Sequence, residues 1–251
     1  MDISASLSGP FTLADLLSVG WLFVAWLAIG WITEHPPRNH PSVSEVMKAY
    51  RREWMRHFVT RDPRIFDANI LTSLREGTAF FASACMIAIG GGLALIGNTD
   101  QLAGVARQFD LEHVPALKWE IKMVLVLFFV ANALLRFIWS HRLFGYCAIL
   151  MASVPNDPND PRAIPSAMQA AEINITAARS FNSGLRCVYF ALAAVGWLAG
   201  PAVLFVTTGY VIFITLRREF ASHSRRAIMQ HVPTDAGLIP GDGQSQNPRH
   251  G

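Results

Sequence analysis

Four long apolar stretches, residues 13–32, 78–97, 121–139 and 187–216, constrain this 251-residue chain more than any other feature. A helix rises about 1.5 Å per residue, so about 20 apolar residues match the ~30 Å hydrocarbon core of a bilayer. The remaining chain is mostly short connections, too little to cover four such helices in water. Only 16% of residues are charged, against 52% hydrophobic. The expected fold class is all-α: a polytopic transmembrane helical bundle of four to five spans with a cytoplasmic amphipathic helix. Seven Trp and sixteen Phe suit interfacial anchoring. A net charge of +3 gives no support for nucleic-acid binding.

No Lys or Arg precedes the first stretch, so it reads as a retained span rather than a cleaved signal. Thr12 with Asp15 three residues later has capping-box spacing. Basic residues then set the expected topology. Lys48, Arg51, Arg52, Arg56, Arg61, Arg64 and Arg75 crowd the connection between the first two stretches, with Arg38 before them. The next connection carries only Arg107 and Lys118. The positive-inside rule places the first connection in the cytoplasm and the N-terminus outside, in the periplasm. The fourth stretch would make a helix of roughly 45 Å, too long for one upright span. Gly200-Pro201 in its middle is a break-and-restart signal. Two crossings, residues 180–200 and 201–216, also return Arg217, Arg218, Arg225 and Arg226 to the cytoplasm. The expected spans are thus 13–32, 78–97, 121–139, 180–200 and 201–216 in a single membrane domain, residues 1–220. A kinked single helix over 180–216 is the alternative.

The cytoplasmic connection, residues 42–76, is expected to be helical. Ser42 with Glu45 gives a start signal. Val43, Val46, Met47, Tyr50, Trp54 and Phe58 then recur at three- and four-residue spacing. Lys48, Arg51, Arg52 and Arg56 fill most of the opposite face. Together with Trp54 these cations suit an anionic inner leaflet, although the same stripe also suits packing on the bundle. Asp62-Pro63 is expected to cap a second helix running unbroken into the second span. The Pro-rich stretch 152–165 reads as a loop, and 167–179 as helix leading into the next span. Residues 221–251 are expected to form a largely disordered cytoplasmic tail.

No constellation of catalytic residues stands out, and no metal or cofactor is expected. Cys85, Cys147 and Cys187 are dispersed and read as small buried hydrophobes. The histidines supply no pair at ligand spacing. Gly90-Gly91-Gly92 lies inside an apolar stretch, and Ala84, Ala88 and Gly92 share a face suited to close helix contact. Polar residues within the spans say more. Lys122 reads as a snorkelling side chain. Asn132 and Arg136 on the third span, with Asn182 and Arg186 on the fourth, form the candidate ligand-binding pocket, because polar groups in spans face the bundle or a water-filled path. Two arginines need a negative partner, and Asp67 and Glu76 are the internal candidates.

From about residue 16 to residue 220 the chain also resembles a bacterial membrane-protein family known only as domain of unknown function 599. The resemblance rests on Tyr50-Arg51-Arg52 with Trp54-Met55, and on Arg61, Arg64 and Asp67. It continues through Phe80-Phe81-Ala82-Ser83, Phe137-Ile138-Trp139-Ser140, Tyr146-Cys147, Phe181-Asn182-Ser183-Gly184-Leu185-Arg186 and Arg218-Glu219-Phe220. It implies a membrane fold and no particular chemistry. Three function classes follow. The leading one is a non-enzymatic component of the bacterial inner membrane that scaffolds or modulates partners, including a membrane-protein partner or a second copy. The others are a small-solute or anion transporter or channel, and a lipid-directed enzyme.

Overall fold

The structure, a computed structural model, describes residues 11–36, 41–98 and 116–230. Arg38, His40, Arg107 and the tail beyond 230 lie outside the described residues. The helices are α1 (Leu13–Glu34), α2 (Val43–Thr60), α3 (Ile65–Ile96), α4 (Ala116–Ala152), α5 (Ala163–Val195), α6 (Pro201–Phe220) and α7 (His223–Met229). A 3-10 turn, Gly196–Ala199, follows α5. No strand occurs among the described residues. Leu13–Glu34, Ile65–Ile96, Leu117–Ala152 and Pro201–Met229 are long and apolar enough to cross a membrane.

Local signals explain where most helices begin and end. The Thr12 hydroxyl accepts the Asp15 N–H at 3.2 Å while the Asp15 carboxylate accepts the Thr12 N–H at 3.0 Å, closing the expected capping box on α1. The Ser42 hydroxyl accepts the Glu45 N–H at 3.2 Å, but Glu45 turns its carboxylate to Lys48 instead of back to the cap. Gly200 has φ of 125°, a conformation that side chains disfavour, and Pro201 opens α6 directly after it. The break expected there is present. Asp62-Pro63, joined by a cis peptide bond, forms a turn rather than a helix start, so α3 begins two residues later at Ile65. It then runs unbroken for 32 residues, as expected.

Helix length shapes the rest. α3, α4 and α5 hold 32, 37 and 33 residues. At 1.5 Å per residue they measure about 48–56 Å, roughly 20 Å more than the hydrocarbon core of a bilayer. The excess lies at one end, here termed the basic end. The exposed face of α3 is Phe80, Met86, Ile87 and Leu93 in its second half; in its first half, after the exposed Ile65 and Phe66, it is Asn69, Thr72, Ser73, Arg75 and Glu76. On α4 the exposed apolar residues Leu135, Ile138 and Trp139 are followed by Arg142, although Tyr146 and Ile149 beyond it are exposed as well. Gln169, Glu172, Thr176 and Arg179 are the exposed polar residues of α5 before its buried half. These changes sit at one level, because Thr78 Oγ1 meets His141 Nδ1 at 3.2 Å and Ser140 Oγ donates to the Ala177 carbonyl at 2.8 Å.

Below that level the protruding ends and α2 form a helical layer with its own core. Met55, Phe58 and Val59 pack on Leu71, Phe144 and Met151, and a run of alanines (Ala163, Ala167, Ala170, Ala171) lets α5 approach its neighbours. Above it, Leu22, Phe129, Phe190 and Leu204, each 0% exposed, fill the bundle with aromatic and aliphatic side chains. Gly184 is required where α5 meets α4: a Cβ there would stand 2.7 Å from the Phe137 ring. The close-contact face of α3 differs from the expected one. Ala84 and Ala88 are exposed, and Thr78, Ala82, Cys85 and Gly92 face the bundle. The apolar stretch is uniform enough around the helix that small residues alone do not show which face packs.

At the far end the Trp197 Nε1–H donates to Asp15 at 2.8 Å, binding the 3-10 turn after α5 to the start of α1. Lys122 is only 9% exposed and lies 5.6 and 5.7 Å from the Trp119 and Trp197 rings. It therefore turns inward toward Asp15 and two aromatic faces rather than snorkelling outward. α5 thus reaches the depth at which α1 begins, and α6 returns from there to the basic end.

Asp67 pins the layer to the start of α3. It is 0% exposed, accepts the Trp54 indole N–H at 2.6 Å and pairs with Arg61. Replacing Asp67 with Ala removes the acceptor of both. The expected loss is about 2–4 kcal/mol, between a buried hydrogen bond and a fully buried ion pair. Thermal unfolding of the detergent-extracted protein reads this directly, with the exposed Asp62→Ala as a control expected to change little.

Candidate functional site

A cavity of about 280 Å³ opens where the bundle meets the basic-end layer. Its walls come from four helices: Glu34 at the end of α1; Ser44, Lys48 and Arg51 on α2; Arg179, Asn182 and Arg186 on α5; and Glu219 near the end of α6. Helical spacing explains the α5 wall. Ile175, Arg179, Asn182 and Arg186 recur every three or four residues and so share one face.

The charges of this site are arranged in pairs and near-pairs. Arg186, 9% exposed, donates to Glu34 at 3.0 Å. Glu34 ends α1, whose last turn carries no basic residue, so an acid there opposes the helix dipole until Arg186 answers it. Side chains lean toward the N-terminus of their own helix. Arg186 thus reaches toward the basic end while Glu34 reaches into the bundle, and the two meet. Glu219 sits at the start of α2, accepting the Ser44 hydroxyl at 3.1 Å and the Ser44 N–H at 3.4 Å. A carboxylate at a helix N-terminus satisfies an otherwise unpaired N–H and the positive end of the dipole. Asn182 Nδ2 approaches the Ser44 hydroxyl at 3.5 Å.

Of the four residues expected to form the pocket, Asn182 and Arg186 line this cavity. Asn132 and Arg136 do not. Asn132 donates to the Phe128 carbonyl of its own helix at 2.8 Å. Arg136 lies close enough to repel Arg186 and meets the buried Cys187 thiol. The carboxylates that answer Arg186 are Glu34 and Glu219, not Asp67 or Glu76; Asp67 is already engaged by Arg61 and Trp54. Glu34 was hidden at the close of an apolar stretch and Glu219 between two helix ends, each far from Arg186 in sequence. Arg179 was accessible to sequence reasoning, since the Asn182–Arg186 face continues back to it at helical spacing.

The residues expected at the membrane surface all engage protein groups. Lys48 pairs with Glu45, Arg51 bonds Asn174, and Arg52 meets Glu172 at 2.7 Å. Trp54 reaches Asp67 at 2.6 Å, and Arg56 meets Glu53 at 3.1 Å. The apolar stripe of α2, including Val46, Ala49, Met55 and Phe58, is buried against the other helices. Burial pushes the Arg51 guanidinium below its usual value, while the Glu172 carboxylate holds that of Arg52 above it. Among the described residues no group of three His, Cys, Asp or Glu could hold a metal ion.

Residues 17–224 match the model of a family described as a protein of unknown function, DUF599. The chain belongs to that family. No curated protein and no solved structure matches it. The residues that carry the family resemblance gather at the junction between bundle and layer. Arg61, Asp67 and Trp54 form the buried cluster already described, and Arg64 donates to the carbonyls of Val154 at 3.1 Å and Pro155 at 2.9 Å. Asn182, Gly184, Arg186 and Glu219 shape the cavity and the α4–α5 contact beside it.

Replacing Arg186 with Met leaves Glu34 and Glu219 facing each other without their shared cation. Expected is a loss of stability between the ~0–1 kcal/mol of an exposed pair and the ~3–5 kcal/mol of a fully buried one, since Glu34 is partly exposed. Adding Glu34→Leu is expected to restore part of the loss, which membrane accumulation and thermal unfolding measure.

Proposed function

We propose that this chain is a non-enzymatic membrane component in which a small polar ligand, bound at the junction of bundle and layer, controls how the layer is held for partners. The observation that carries this reading is the placement of the cavity. One ligand there would touch α1, α5 and α6 of the bundle and α2 of the layer together. α7 belongs to the same arrangement: Tyr50 donates to the Ile228 carbonyl at 2.9 Å, and Arg225 to that of Pro41 at 3.1 Å. A binding role is favoured over conduction by the core above the cavity, where Leu22, Phe129, Phe190 and Leu204 are fully buried in one packed cluster.

The membrane in this reading is the bacterial inner membrane, with five spans, a periplasmic N-terminus and a cytoplasmic basic end. The density of Arg and Lys at that end supports the orientation. The leaflet there is anionic, and the exposed Arg75, Arg142 and Arg217 are placed to meet it.

A screen of the detergent-purified protein against small polar metabolites tests the function. A true ligand is expected to raise the unfolding temperature by several degrees at saturating concentration. In hydrogen exchange it is expected to protect α2 and α7. The same compound, radiolabelled, is expected not to accumulate in proteoliposomes. Saturable accumulation would make the protein a transporter instead, and a screen without any stabilising compound would remove the ligand from the account.

A further inference from the structure

We propose that the ligand is a small oxyanion, a carboxylate or a phosphate, seated between Arg51 and Arg179. This rests on the ligand-binding reading of the cavity and names both the chemistry and the seat. The two arginines line the same space from facing helices, α2 and α5. Neither meets a carboxylate among the described residues. Arg51 bonds only the neutral amide oxygen of Asn174. Arg179 is exposed toward the opening and has no polar partner among the described residues. The other two cations of the cavity are answered, Lys48 by Glu45 and Arg186 by Glu34. Four cations therefore face three carboxylates, and the charge left over belongs to the pair without acids.

Physical chemistry gives that pair its preference. A guanidinium withdrawn from water without a counter-ion is unfavourable, and Arg51 shows it, since burial alone pushes its guanidinium down. Arginine presents a planar fork of N–H donors matched to the oxygens of carboxylate and phosphate. The Asn182 amide, on the α5 face that carries Arg179, adds a neutral donor to the wall. Glu219 on the wall from α6 sets a limit: it repels an anion that sits too deep, which places the seat toward Arg179 and the opening. Arg186, the intramembrane cation most visible in the sequence, is thereby a structural partner of Glu34 rather than the anion's main contact.

Isothermal titration of the full chain in neutral detergent tests the assignment, with inorganic phosphate and succinate as anionic probes, choline as a cation and glycerol as a neutral polyol. At least one anion is expected to bind. Arg179→Gln, on an exposed side chain, is expected to weaken that binding about tenfold or more, the scale of a lost charge-assisted hydrogen bond. Glu219→Gln is expected to tighten it several-fold by removing a repulsive charge. Unchanged anion binding in Arg179→Gln, or weaker binding in Glu219→Gln, would overturn the seat. Binding of choline or glycerol alone would overturn the anion assignment and leave the ligand cavity standing. Silence from all four probes overturns the anion assignment, and together with an empty metabolite screen it removes the ligand cavity as well.

Discussion

Three helices too long for the bilayer organise this protein. α3, α4 and α5 each exceed the hydrocarbon core by about 20 Å. Charged and polar residues such as Glu76, Arg142 and Arg179 on the exposed faces of those ends are costly in lipid and place the excess outside it, although Ile65, Phe66, Ile149 and Ile164 are exposed there too. All of it emerges at one end. Protruding helix ends with apolar inner faces need a cover in water, and α2 supplies it by burying Met55, Phe58 and Val59. The layer is thus a consequence of helix length.

The charged cavity follows from the same geometry. α1 ends at Glu34 and α6 ends just after Glu219, so both stop near the level where α5 is still descending into the layer. Two helix ends beside a continuous helix leave a gap, and α2 starts in that gap. Helix termini bring unpaired N–H and C=O groups with them. Glu219 answers the start of α2, and Arg186 answers the acid that closes α1. The polar residues there are first of all what such a junction requires. The surplus of cations at Arg51 and Arg179 is not required by it, and for that reason carries the ligand proposal.

Much of this was legible in the sequence where the signal was local. The apolar stretches gave the helical class and the passage of α3 from layer to bundle. Thr12 with Asp15, and Gly200 with Pro201, marked their helix boundaries correctly because caps and breaks act within a few residues. Long-range partners were illegible. Arg186 and Glu34 stand 152 positions apart, and Ser44 and Glu219 stand 175 apart. Nothing in the local pattern distinguished Glu34 from Asp67 as the partner of an arginine. Lys122 misled for a similar reason: a lysine near the end of a span snorkels by default, and only the return of α5 brings Trp197 to enclose it.

The central claim is that α3 leaves the bilayer at its own midpoint, on the side proposed to be cytoplasmic. Single cysteines at Thr72 and Ile87, both exposed on α3, test it with a membrane-impermeant maleimide, since Cys85, Cys147 and Cys187 are buried. Thr72→Cys is expected to react in inverted membrane vesicles and not in intact cells, while Ile87→Cys reacts in neither. A Thr72→Cys thiol as unreactive as that at Ile87 from both sides would put the supposed layer inside the bilayer and contradict the account.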